Sequence, residues 1–150
     1  MNNTYKITTR NDEETIEVAQ NLESEKFPNM VICLNGDLGS GKTVFTKGFA
    51  SAMAIEEVTS PTFNIIKEYV GELPLYHIDV YRTNGKIDNL GIEEYFDKGG
   101  VTIIEWAEMI EDYLPEERLD ITFKITGENS RIMVITPHGE KYVRVCEDAL

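Results

Sequence analysis

The chain has 150 residues, 41% of them hydrophobic and 27% charged, the balance of a soluble globular domain large enough for its own core. That balance excludes a disordered tail, a collagen and a disulfide-stapled toxin. Fourteen Lys and Arg against 27 Asp and Glu leave a formal net charge of −13, which repels phosphate backbones and anionic membrane surfaces alike.

In chain order, Tyr5 to Thr8 reads as a short strand. Asn11 or Thr9 can cap a helix that begins near Asp12, each having an acid three residues on. That helix carries Ile16, Ala19 and Leu22 on one face, with Val18 beside them. Met30 to Leu34 is an unbroken apolar run, the mark of a strand covered on both faces, and Cys33 within it reads as a small core residue. A glycine-rich turn at Gly36 to Gly41 precedes a helix from Lys42 to about Ala54. Asn64 to Val70 and Leu75 to Val80 read as two strands joined through Gly71-Glu-Leu-Pro74. Ile87 to Phe96 is helical in pattern, Val101 to Glu105 is a second buried strand, and Ala107 to Tyr113 a short helix. Three strands are expected to follow: Leu119 to Thr126, Ile132 to Thr136 and Tyr142 to Val145. The fold class is therefore α/β, a single domain over 1–150 with a mixed β-sheet flanked by helices and a β-rich C-terminal part.

Met1 to Ile7 lacks the apolar stretch of a signal peptide, and no run approaches the ~18 residues of a membrane span. Cys33 and Cys146 stand far apart, outside any CxxC or Cys/His cluster. A reducing cytoplasm is the expected location, with no membrane partner. His77 and His138 are distant in sequence, and His77, alternating with Ile78 on a strand, reads as a packed, hydrogen-bonded residue. A zinc site has no support.

Gly36-Asp-Leu-Gly39-Ser-Gly41-Lys42-Thr43 matches GxxxxGK[ST] at every fixed position. Average composition produces such a match by accident in roughly one chain of this size in two hundred. The run also sits between a buried strand and a helix, the context it requires, so the domain is P-loop NTPase-like. Its glycines let successive N–H groups of Asp37, Leu38, Gly39, Ser40 and Gly41 turn toward phosphate oxygens, and the following helix adds its positive end. Lys42 reaches the β- and γ-phosphates, and the Thr43 hydroxyl can ligate Mg²⁺.

Such a site needs a carboxylate at the end of a neighbouring strand. Asp79 closes Leu75-Tyr-His-Ile-Asp79 and Glu105 closes Val101-Thr-Ile-Ile-Glu105, so position alone leaves metal ligand and water-orienting group open between them. Thr59-Ser-Pro-Thr62 is a Pro-stiffened loop whose hydroxyls can approach a γ-phosphate, as a switch segment does. Arg82 can reach a phosphate or a partner's carboxylate, and Trp106 reads as a pocket-edge aromatic. Two other classes remain in play. A small-molecule kinase needs an arginine-bearing lid, which is not evident here. A guanine-reading switch needs Asn-Lys-x-Asp, and Asn84-Gly-Lys-Ile-Asp88 has an inserted glycine.

Gly36-Asp-Leu-Gly-Ser-Gly-Lys-Thr43, Ser60-Pro-Thr-Phe63, His77-Ile-Asp-Val-Tyr-Arg82 and Glu105-Trp106 occur in that order and spacing. Together they resemble the bacterial TsaE (YjeE) family, the ATPase of tRNA threonylcarbamoyladenosine (t6A) biosynthesis, from about residue 10 to the C-terminal strands. The resemblance implies a cytoplasmic P-loop ATPase using ATP and Mg²⁺. Its implied partners are the TsaD and TsaB proteins, which transfer the threonylcarbamoyl group to an adenine of tRNA. By motif, Lys42 holds phosphate, Thr43 and Glu105 are magnesium ligands, and Asp79 serves hydrolysis. Ser60 and Thr62 form the nucleotide-sensing loop, while Arg131 and the backbone near Thr9 to Asp12 lie on the adenine side. The acidic charge fits a subunit that meets tRNA only through its partners, resetting or remodelling the transferase between turnovers.

Overall fold

The computed structural model describes residues 4–55, 58, 65–88 and 90–150. Seven strands form one sheet: β1 (Tyr5–Thr9), β2 (Val31–Asn35), β3 (Ile66–Tyr69), β4 (Leu75–Asp79), β5 (Val101–Glu105), β6 (Arg118–Ile125) and β7 (Arg131–His138). Their spatial order is β1-β7-β6-β2-β5-β4-β3. The pairs β2–β5, β2–β6 and β4–β5 are parallel, and β1–β7, β6–β7 and β3–β4 antiparallel. The α/β reading with a mixed sheet and flanking helices is correct.

Three helices cover one face: α1 (Asp12–Glu23), α2 (Lys42–Ala52) and α3 (Glu140–Ala149). They close a core that includes Leu22, Ile32, Phe45, Phe49, Ile103, Ile121 and Met133. The other face of β2, β4 and β5 is covered by short 3₁₀ segments and by Ile87 between two of them, packing Ile87, Ile92, Ala107 and Ile110 on Val31, Cys33, Ile78 and Ile104. Burial on both sides explains why these three strands are near-continuous apolar runs. Among the described residues, no helix is long and apolar enough to cross a membrane.

Local chemistry fixes the elements. Asn11, not Thr9, caps α1: its side-chain oxygen accepts the Glu14 N–H at 2.9 Å. The Glu14 carboxylate reaches back to the N–H of Arg10 at 2.7 Å, one residue outside the usual box. Thr9 instead shares a buried hydroxyl bond with Thr15 at 2.9 Å. Helices α1 and α2 approach closely at Gly48, where an added Cβ would stand 3.0 Å from the Ile16 Cα.

Two expected elements are corrected. Tyr142 to Val145 is not a strand but the middle of α3, so the C-terminal part ends in a helix. Tyr142, Val145 and Cys146 share its buried side at i, i+3 and i+4 spacing. The Tyr142 hydroxyl accepts the Val31 N–H at 2.8 Å, pinning α3 to the start of β2. Ile87 to Phe96 is not one helix: none of its described residues before 92 is helical, Gly91 has φ 66°, and a 3₁₀ segment starts only at Ile92 and runs to Asp97. Ala107–Tyr113 is also 3₁₀, broken at Ile110. Of the expected strand Asn64 to Val70, residues 66–69 are strand and Asn64 lies outside the described residues. Both cysteines are buried and unpaired, Cys33 on one side of the sheet and Cys146 on the other.

Candidate functional site

A cleft of about 590 Å³ opens at the C-terminal ends of β2, β5 and β4, where an open α/β sheet places ligands. Its walls are the loop and helix start 38–44, Asp79, Tyr81, Arg82, Glu105 and Trp106, joined by Asp12, Ile65, Asn129 and Arg131.

The loop folds as its glycines require. Gly36 has φ 142°, and a Cβ there would meet the Phe123 carbonyl and the Ser40 Oγ at 2.8 Å each. Gly41 caps α2 without any side-chain bond to the helix start, leaving its N–H dipoles facing the cleft. Ser40 is buried, and its Oγ has no hydrogen-bond partner among the described residues. Lys42 is buried, donates to the Gly36 carbonyl and lies over the Trp106 ring at 3.6 Å. Burial lowers its ammonium pKa, opposed by Glu105, Glu108, Asp79 and Asp37.

Parallel pairing sets the two acids side by side. Asp79 lies opposite Glu105 in the β4–β5 register, so both carboxylates project from the same face of the sheet. Burial raises the Asp79 carboxyl above its ordinary value, with the Tyr81 N–H, 3.0 Å from Oδ1, opposing and Glu105 adding to the rise. Glu105 is buried, and its Oε2 is 2.5 Å from His77 Nε2.

Trp106 follows Glu105 at φ 63°, a conformation costly for a bulky residue. Its N–H donates to the Leu34 carbonyl at 2.9 Å, and its ring meets Tyr81 at 4.6 Å between centroids. These contacts hold the indole across the lysine. From the other end of the sheet, Arg131 donates to the Gly39 carbonyl at 3.1 Å and to the carbonyls of Gly127 and Ser130. It braces the loop tip.

The cleft thus gathers Leu38, Gly39, Ser40, Gly41, Lys42, Thr43, Asp79, Glu105 and Arg131. Asp37 is exposed and outside the lining. Ser60 and Thr62 lie outside the described residues. Glu108 was not singled out by sequence: its N–H donates to the Asn35 side chain at 2.9 Å, and burial raises its carboxyl, with Lys42 opposing. Asn129 and Tyr81 were missed as well. Tyr81 has a signal in its place between Asp79 and Arg82, whereas Asn129 in the β6–β7 turn has none.

These groups would suit a nucleoside triphosphate with Mg²⁺. Among the described residues, no cluster of three or more His, Cys, Asp or Glu could hold a metal ion unaided. Mg²⁺ does not ask for one; it takes one or two protein oxygens and fills its shell from phosphates and water. The orphaned Ser40 hydroxyl and the uncapped helix start present the complementary donors for an anion.

The chain is similar to known proteins in sequence and in fold. Residues 9–133 match the family model described as threonylcarbamoyl adenosine biosynthesis protein TsaE. A tRNA threonylcarbamoyladenosine biosynthesis protein TsaE of Bacillus subtilis is 48% identical over 145 residues, covering 95% of this chain and 92% of its own. One of Treponema pallidum is 40% identical over 108 residues, covering 70% and 80%. The crystal structure of Bacillus subtilis YdiB superposes with a TM-score of 0.87 at 45% identity, over 99% of this chain and 95% of that one.

Proposed function

Because the chain belongs to the TsaE family of threonylcarbamoyl adenosine biosynthesis proteins, we propose that it is the ATP-binding and hydrolysing subunit of that modification. In this reading it works in the cytoplasm on the TsaD–TsaB transferase, resetting or remodelling it between turnovers, and is not itself the transferase. The observation that carries the reading is the cleft, in which a P-loop, an open helix start and two carboxylates in register meet.

Backbone N–H groups of the loop 37–43 and the Lys42 ammonium would hold the phosphates. Thr43 and Glu105 would hold Mg²⁺, which when bound would supply positive charge against the negative charge on the phosphoryl and leaving oxygens. For phosphate to enter, Lys42 must turn from the Gly36 carbonyl, keeping Trp106 as its backstop. Asp79 orients the attacking water, and a carboxyl raised by burial is suited to taking its proton. The water oxygen bonds to the γ-phosphorus as the bond to the β–γ bridging oxygen breaks, giving ADP and phosphate. Ser60 and Thr62 sense the γ-phosphate, and Arg131 borders the adenine side. A net charge of −13 argues that tRNA is met only through the partners.

The test is ATP hydrolysis by the purified chain, alone and with the TsaD–TsaB pair, with Lys42→Ala as the blank. A large rise on adding the pair is expected. Good turnover alone, indifferent to the pair, would overturn the reading and reopen that of a small-molecule kinase.

A further inference from the structure

His77 has a task that packing does not explain. It sits on β4 with no exposed surface, on the same face as Leu75, and pairs across to Ile103 of β5. Leu75 and Ile103 on that face offer it only apolar packing, whereas Asp79 of β4 and Lys67 of β3, opposite it in the register, are polar. Its Nε2 stands 2.5 Å from Glu105 Oε2, while its Nδ1 has no hydrogen-bond partner among the described residues. A carboxylate can only accept, so Nε2–H is the donor of this bond. Leaving one ring nitrogen orphaned is unfavourable, and the bond from the other is what the histidine contributes.

That bond acts on a torsion with little preference of its own. The terminal torsion of a glutamate is broad and roughly two-fold, so an ordered carboxylate needs an outside donor. Asp79, opposite Glu105, offers only acceptor oxygens when ionised. We infer that His77 is a positioning residue, whose Nε2–H fixes the Glu105 carboxylate in the orientation that receives Mg²⁺ beside the nucleotide. This inference rests on the nucleotide and magnesium site proposed above.

The experiment compares the wild type with His77→Leu and His77→Gln. The glutamine amide keeps a neutral N–H near the position of Nε2; leucine fills the space without a donor. Calorimetric titration with the non-hydrolysable analogue adenylyl imidodiphosphate, with Mg²⁺ and with a chelator, gives the affinity that the metal adds. With chelator, the three proteins should bind the analogue alike. The gain from Mg²⁺ should fall by about tenfold or more in His77→Leu, and His77→Gln should largely restore it.

Full Mg²⁺ gain in His77→Leu would overturn the inference while leaving the site reading intact. Equal losses in both variants, present with chelator too, would make His77 merely structural and overturn it as well. If the wild type gains nothing from Mg²⁺, the magnesium reading itself falls, a separate failure. Should His77→Leu not fold, His77→Asn replaces it: its shorter amide does not span to Glu105, and it should lose the gain in the same way.

Discussion

The central strands β2, β5 and β4, the parallel half of the sheet, are covered on both faces, whereas β6, β7 and β1, called the antiparallel half although β6 also runs parallel to β2, are covered on one. The first reads as unbroken burial along four or five residues of each strand; β6 and β7 alternate buried and half-exposed positions. Apart from Thr15 and Glu23 on α1, the buried polar groups divide the same way. His77, Thr102 and Glu105 stand in the parallel strands, and Ser40, Lys42 and Thr46 in the loop and helix between them. The antiparallel strands bury only Thr9, already satisfied by Thr15. Most buried polar groups thus stand in the parallel strands and in the loop and helix beside them, and the other half supplies mainly apolar area. Chemistry and stability should therefore separate on mutation.

The largest expected effect is at Lys42. Lys42→Ala removes the ammonium that the proposed site sets against the phosphates, and ATP turnover should fall by roughly a hundredfold to a thousandfold, with weakened nucleotide binding. Its fold should persist, since the lysine's contacts are a loop carbonyl and a ring. Collapse of the near-ultraviolet circular dichroism in this variant would show that the two halves are not separable.

Asp79→Asn comes next and carries a sign. The folded carboxyl is raised above its unfolded value, chiefly by burial. The native state then binds more protons than the unfolded one between the two values, so stability falls as pH rises through that window. Above it the charged carboxylate is a standing penalty; below the unfolded value the penalty is gone. The amide keeps an acceptor for the Tyr81 N–H. Without nucleotide or metal, Asp79→Asn should melt higher than wild type at neutral pH, and the difference should vanish in acid. Hydrolysis should drop by about a hundredfold or more while ATP binding is kept. A lower neutral melting temperature would overturn the assignment of strain to this carboxylate.

What was legible in the sequence follows the same division. The parallel strands, the P-loop and both acids stand out because two-sided burial writes continuous apolar runs, each ending on a glycine turn or an acid. Tyr142 to Val145 misled, because Tyr and Val favour strands on a short reading, and the helical spacing shows only when Cys146 and Ala149 are included. Ile87 to Phe96 misled because Gly91 was read through as helix interior, where it starts a new segment. The His77–Glu105 bond needs the β4–β5 register, which sets His77 against Ile103 and brings Glu105 within reach two residues on. No spacing within either strand contains that offset. Arg131 was placed at the nucleotide by resemblance; its bond to Gly39 spans 92 positions and comes from tertiary structure alone.

In the antiparallel half, Met133→Ala should invert the pattern. Met133 is fully buried under the helices and lines no part of the cleft. Its truncation should lower the unfolding free energy by about 2–5 kcal/mol in denaturant titration. ATP affinity, measured well below the melting transition, should stay at the wild-type value. A matching loss of affinity would mean that the shape of the cleft depends on packing at the far side of the sheet.

The smallest effect is the one that tests whether the halves meet at all. Arg131 reaches the loop from β7, and its bond to the Gly39 carbonyl steadies a tip that has no packing of its own: Leu38 beside it is exposed, and a Cβ built on Gly39 would touch nothing. One such hydrogen bond is worth about 1 kcal/mol, so Arg131→Ala should weaken ATP binding by roughly fivefold. Arg131→Lys should not restore it, because a single ammonium cannot bridge Gly39 and the Gly127–Ser130 carbonyls as the guanidinium fork does. Melting temperature should hardly move in either variant, since the side chain bonds only to loop and strand-end carbonyls. Unchanged affinity in both would leave the antiparallel half a scaffold and make the parallel half the whole site.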